Sequence, residues 1–246
     1  MYQTTKALIL REVRYKEADR ILTLLTESDG KLTAKARGAL RKSSRTAAAT
    51  QQLTWAELTL FGNRGKWMVN EGSVVEGFDG LRTDIESFAL GCYFAECLEA
   101  LSVEDQPDAE LLQLGLNSLY ALAHGLYARE KIKAAFELRL MCLAGYAPDL
   151  AACAACGREP EDPVWNLQDG RIFCRACPNG GGTAPLCASS LAAMRYIASA
   201  PAKKLFSFSL DGEAMNRLAA AAEQYLLRQT ERRFGTLEYY KQLQLK

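Results

Sequence analysis

The feature that most restricts how this chain can fold is a set of four cysteines in CAACGREPEDPVWNLQDGRIFCRAC. Cys153 and Cys156 are two residues apart, Cys174 and Cys177 are two residues apart, and 17 residues separate the pairs. Two such pairs at this distance form the pattern of a zinc ribbon, in which each knuckle delivers two thiolates to one tetrahedral ion. Four sulfurs close the coordination shell, so the expected Zn2+, one per chain, is structural rather than catalytic. Gly157 follows the first knuckle and suits a left-handed turn there. The plainer alternative is four thiols without a metal. A thioredoxin-like redox role would need one such pair opening a helix after a strand. Cys187 stands at solitary spacing and is a poor ligand. Cys92, Cys97 and Cys142 fall in amphipathic stretches and are expected to be packed thiols. His124, the one histidine, is expected to be a packing or surface residue.

Ahead of this insert the chain changes texture once. From Thr4 to about Phe78 it reads as five short strands, TKALILREV, ILTLLTES, GKLTAKARG, QLTWAELTLFG and KWMVNEGSVVEGF, parted by turn signals. Five strands in so few residues predict a small closed barrel. One connection is long: Gly38 to Gln51, polar and basic, is expected to be a mobile loop. From about Leu81, residues 84–102, 108–127 and 129–146 carry apolar residues at three-and-four spacing, with Asp84 and Asp108 as N-caps. Two more helical stretches, 189–199 and 211–234, follow the insert, which is therefore expected to interrupt one helical domain. The resulting fold class is multidomain α+β: a barrel domain at 1–80, a helical domain at 81–147 and 187–246, and a ribbon insert at 148–186.

Charge is segregated along the chain. Residues 1–80 carry 13 basic and 9 acidic side chains, residues 81–150 carry 5 and 11, and residues 151–246 carry 12 and 9. Within the barrel segment no acid occurs from Gly30 to Ala56. The run KARGALRKSSR falls there, where a strand leaves the barrel. Lys31, Lys35, Arg37, Arg41, Lys42, Arg45, Arg64 and Lys66 are the candidate phosphate contacts, and Tyr15, Trp55, Phe61 and Trp67 are the aromatics that a nucleic-acid-binding barrel would offer to bases. A tryptophan inside a strand is more often core than platform, and a basic run can equally be a solvated loop. No phosphate-binding G-x4-G-K-[ST] loop, G-x-S-x-G elbow or paired acidic motif is found, so a binding protein is expected rather than an enzyme. No apolar run reaches the roughly 18 residues of a membrane span and the N-terminus lacks a signal peptide pattern, which predicts a cytoplasmic chain.

The chain resembles the RecO recombination mediators of bacteria over nearly its whole length. The resemblance is carried by TKALILREVRYKEADRILTLLTESDGKLTAKARGALRKSS, by FELRLMCLAGYAP at 136–148, by the two cysteine knuckles, and by RRFGTLEYYKQL near the C-terminus. It implies an N-terminal OB-fold, a helical domain and a zinc ribbon set into that domain. It also implies binding of single- and double-stranded DNA, annealing of complementary strands, recognition of the acidic tail of single-stranded DNA-binding protein, and action with RecR in loading RecA in the RecF pathway of DNA repair, in the nucleoid. For the tail, an apolar cleft with cations at its rim is expected in the helical domain, with Arg129, Lys131, Lys133 and Arg139 as the candidates. A zinc-ribbon scaffold that binds only proteins is the rival reading.

Overall fold

The computed structural model describes residues 1–63 and 65–245. Five strands, β1 (Tyr2–Tyr15), β2 (Asp19–Thr26), β3 (Gly30–Ala36), β4 (Trp55–Asn63) and β5 (Lys66–Glu76), close into a barrel in the order β1-β2-β3-β5-β4. Among the described residues, the β3–β5 pair is the one parallel strand pair of the barrel. Closure depends on the length of β1. Its first half pairs with β4 from Tyr2 to Leu8, its second half with β2 from Ala7 to Tyr15, and the register shifts between Ile9 and Arg11 where the strand bends from one neighbour to the other. Alternation places Ile9, Leu22, Leu24, Leu32, Ala34, Leu58 and Leu60 in the barrel core.

Among the described residues six α-helices follow: α1 (Ile85–Leu101), α2 (Ala109–Ala123), α3 (Arg129–Leu143), α4 (Ala188–Ser199), α5 (Gly212–Thr230) and α6 (Gly235–Gln244). Asp84 accepts from the amides of Glu86 and Ser87, and Asp108 from that of Leu111, so both expected N-caps form. The three-stranded sheet β7-β6-β8 is made of β6 (Pro163–Asn166), β7 (Arg171–Cys174) and β8 (Thr183–Pro185); β7 ends on Cys174, with Cys177 just beyond and Cys153 and Cys156 ahead of β6. Among the described residues no helix is long and apolar enough to cross a membrane.

The chain divides into two compact units, Met1–His124 with Phe234–Lys246, and Gly125–Arg233. By residue range, α1, α2 and α6 fall in the first of these units, and α3, α4 and α5 fall with the cysteine-bearing sheet in the second. In the first unit, α6 packs on α1: Phe234 meets Tyr93 edge to face at 5.8 Å, Leu237 and Tyr240 are buried, and Glu96 of α1 accepts from the Thr236 amide at 3.1 Å and from its hydroxyl. This last helix was not expected from sequence. Its N-terminus is capped by a carboxylate 140 positions away, a partner that no local pattern displays.

The barrel and α1 are joined inside the first unit by the segment after that helix. The Lys31 amide donates to Val103 O and the Asp105 amide to Lys31 O, both at 3.3 Å. Gly30 makes this approach possible: its φ is +65°, and a Cβ there would lie 2.0 Å from Gln106 O. Gly30→Ala is expected to cost about 3 kcal/mol or more, combining left-handed strain with a backbone clash. Gly65→Ala, at φ +73° with open space around it, should cost only the strain, about 1–2 kcal/mol. Denaturant midpoints of the two variants separate these contributions.

Candidate nucleic-acid interface and metal centre

The connection from β3 to β4 is not the free loop expected. Consecutive turns tie it down: Leu40 N donates to Ala18 O at 2.9 Å, Arg41 N to Gly38 O, Ser44 N to Arg41 O, and Thr50 N to Thr46 O. Arg20 reaches from β2 to Ala47 O at 2.9 Å and to the Thr50 hydroxyl at 3.0 Å, while Ala49 and Thr50 are buried. Arg37, Arg41, Lys42 and Arg45 stand exposed on this ordered backbone. Lys66, at the start of β5, is exposed as well. Arg64 lies outside the described residues.

Two of the expected phosphate contacts are engaged within the fold. The Lys31 ammonium donates to Glu99 O at 2.9 Å, satisfying a carbonyl in the last turn of α1, next to the Arg11–Glu99 ion pair at 2.8 Å. Lys31 is thus a helix-end cap and is withdrawn as a primary DNA contact. Lys35 pairs with Asp19 at 2.8 Å and lies 4.8 Å from the centre of the Tyr15 ring. Hydrogen bonds from Lys35 and from the Gly38 amide hold the Asp19 carboxyl below its ordinary range. The charge of Lys35 is therefore largely balanced. Among the aromatics, Trp55 is buried at 8% exposure, and Trp67 packs against the barrel core and over Gly62. Neither offers a face. Tyr15 is 43% exposed, and Phe61, half-buried, sits 5.0 Å from the ring of Tyr2. Tyr2 was missed at the sequence level; the register that places it beside Phe61 is the signal that finds it.

In the second unit Cys153, Cys156, Cys174 and Cys177 converge, with all four sulfurs within 4.8 Å of one another. The Cys156 and Cys174 sulfurs are 3.9 Å apart, close to the edge of about 3.8 Å that Zn–S bonds of about 2.3 Å impose on a tetrahedron. Amides aim at the sulfurs, from Cys174 to Cys153 at 3.3 Å and from Glu161 to Cys174 at 3.4 Å. Burial pushes the Cys153 thiol up, but the amides of Cys174, Cys156 and Ala155 outweigh it and bring it down to about 6. Gly157, at φ +73°, donates its amide to Cys153 O at 2.8 Å, closing the first knuckle. The donor set and its outer shell fit a thiolate-bound dication. Cys187 is apart from this cluster, beside the Ser189 and Ser190 hydroxyls at the start of α4.

The ribbon also buries apolar side chains of its own. Trp165 of β6 is fully buried, 4.3 Å from the ring of Tyr225 on α5, with Val164, Leu167 and Ile172 buried around it. Arg195 of α4 ties the first knuckle down by donating to Leu150 O, Ala151 O and Glu159.

The four cations expected at a cleft rim fare differently. Lys133 is 7% exposed and lies 2.8 Å from Glu137 and 2.7 Å from Glu223, so it belongs to the interior of the second unit. Arg139 donates to Ala198 O at 2.6 Å and to Ile197 O at 3.4 Å, capping the end of α4. Both are withdrawn from the rim. Lys131 lies 4.7 Å from each of the Tyr127 and Phe208 rings and donates to Phe208 O. Arg129 is half-buried at the start of α3.

A closed five-stranded barrel with OB-like connections, joined to helices and a four-cysteine centre, defines a barrel-and-ribbon class of protein. Residues 1–78 match the family model for the N-terminal part of recombination protein O, and residues 82–238 match the model for its C-terminal part. The chain belongs to the RecO family. It is 31% identical to the DNA repair protein RecO of Acetivibrio thermocellus over 98% of this chain and 97% of that one. Identity to the RecO protein of Symbiobacterium thermophilum is 32% over 94% of each chain, and to that of Desulforudis audaxviator 35% over 77% and 76%. Family membership carries a role in DNA repair and recombination.

Proposed function

We propose that this chain is a DNA-binding recombination mediator. It holds single- and double-stranded DNA by the phosphate backbone, anneals complementary strands, and acts with RecR to load RecA on strands covered by single-stranded DNA-binding protein, in the cytoplasm. Residues 1–80 serve as the nucleic-acid-binding domain, and the ribbon at 148–186 is set between helical parts at 81–147 and 187–246. The observation that carries this reading is the set of exposed cations Arg37, Arg41, Lys42 and Arg45 on a hydrogen-bonded turn framework, in a stretch without acids beside an OB-type barrel. Phosphate contacts from such side chains give affinity without reading bases, as a mediator acting on any sequence requires. The four cysteines hold one structural Zn2+, which would fix the two knuckles relative to each other. The acidic, apolar-ended tail of single-stranded DNA-binding protein would meet Arg129, Lys131 and the aromatic rings of Tyr127 and Phe208.

Replacing Arg41, Lys42 and Arg45 together with alanine tests the grip. Binding to all sequences should weaken, and the slope of log affinity against log salt should flatten by up to about 2 units for single strands and about 2.7 for duplex. Stability should change by about 0.5 kcal/mol or less per site. An unchanged slope with undiminished annealing would return the run to solvated charge and favour the protein-only scaffold.

A further inference from the structure

The strand register assembles an apolar band outside the barrel that no motif displays. Lys35 of β3 pairs with Met68 of β5, Met68 with Phe61 of β4, and Phe61 with Tyr2 of β1. Directly paired residues point to the same side of a sheet. That side is the outer one, because the neighbours Ala34, Ala36, Leu60 and Val69 turn into the core. At one end Tyr2, 64% exposed, leans on Phe61; at the other Tyr15, 43% exposed, lies against the Lys35 ammonium. Two interstrand spacings put Phe61 about 10 Å from Lys35. Two positions from the band in sequence stand the exposed cations Arg37, in the turn just past β3, and Lys66, at the start of β5, and no carboxylate occupies the other positions two away on β3, β5 and β4. Asp19, the acid nearest the band on β2, is already held by Lys35.

We propose that this band, Tyr15 to Tyr2 by way of Met68 and Phe61, is a stacking platform for the unpaired bases of single-stranded nucleic acid. Flat faces of tyrosine and phenylalanine and a thioether suit any base, because every base has a π-face, and the flanking cations suit the phosphates that run beside the bases. A duplex keeps its bases stacked on one another and gains nothing here. The band thus gives the chain a preference for single strands that the cationic turns, which grip either form, do not. The assignment rests on the DNA-binding reading above and adds a second, chemically different surface to it.

The test compares labelled oligothymidylate with an abasic oligonucleotide of the same length and charge. The wild-type chain should bind the thymidylate at least about 5-fold more tightly, the lower end of what one stacked base contributes. Tyr2→Ala, at an exposed position, and Phe61→Ala should each shrink that ratio while leaving abasic and duplex binding and the salt slope as in the wild type. Circular dichroism melting checks that Phe61→Ala still folds; Tyr2→Ala carries the test if it does not. Equal wild-type affinity for both oligonucleotides, or parallel losses for both in Tyr2→Ala, would overturn the platform. If the salt slope still responded to Arg41, Lys42 and Arg45, the DNA-binding reading would stand without it. Failure of the wild type to bind either oligonucleotide would remove both.

Discussion

Lys133→Ala is expected to destabilise the second unit by about 3–5 kcal/mol, the usual consequence of deleting one partner of a buried ion pair. The ammonium is the countercharge for Glu137, fully buried four residues on, and for Glu223 of α5. Without it the two carboxylates face each other across the α3–α5 contact. Burial alone would lower the Lys133 pKa, but the two glutamates outweigh it and raise it. A lysine with a raised folded-state pKa contributes stability that is complete below its unfolded value of about 10.4 and is lost as pH rises through the folded value. Urea melts of wild type and variant should therefore differ by the same amount from pH 6 to pH 9 and converge only in strong alkali. Equal midpoints at neutral pH would show that the pair contributes nothing. Reversing Lys133 with Arg139, which a surface reading of α3 would recommend as a probe of partner binding, would instead place three carboxylates together and uncap α4.

Chelation of the metal is expected to have the other large effect. Structural zinc in small ribbons contributes on the order of 10 kcal/mol of apparent folding free energy. Because Trp165 packs on Tyr225 and Arg195 tethers the first knuckle, the hairpin β6–β7 has protein contacts of its own. Removal should therefore unravel the knuckles around Cys153–Cys156 and Cys174–Cys177, lower the melting temperature of the second unit and redden Trp165 emission. The barrel, in the other unit, should melt as before. Metal analysis should give one zinc per chain, with four sulfur neighbours at about 2.3 Å by X-ray absorption. A chain purified without metal that melts unchanged would refute the assignment.

These two cases mark where the sequence speaks and where it does not. The knuckles were legible because their chemistry is local: two residues between cysteines fix a turn, and only distance has to be bridged. The barrel was legible because alternation and turn residues are also local. Lys133 was not, since its partner Glu223 is 90 positions away and nothing in FELRL tells that α3 is buried on nearly every side. Lys31 looked like its neighbours in the basic run until Glu99 O appeared beside it. The candidate platform is a property of register alone, assembled from four strands, and a one-residue slip would turn it into the core. The helix α6 escaped because its burial and its cap come from α1.

The division of the chain at His124 and Arg233 has a consequence for the order in which the protein is made. The second unit is one unbroken stretch and can complete itself as soon as the ribosome has released it. The first unit begins earlier but waits longer: Tyr93 stays without Phe234, and Glu96 without Thr236, until residues beyond 233 emerge. During translation the barrel and its two helices thus exist as an unfinished body with an open apolar face on α1. A stalled or truncated product ending before Phe234 would carry an intact cysteine unit on a first unit exposed to proteolysis.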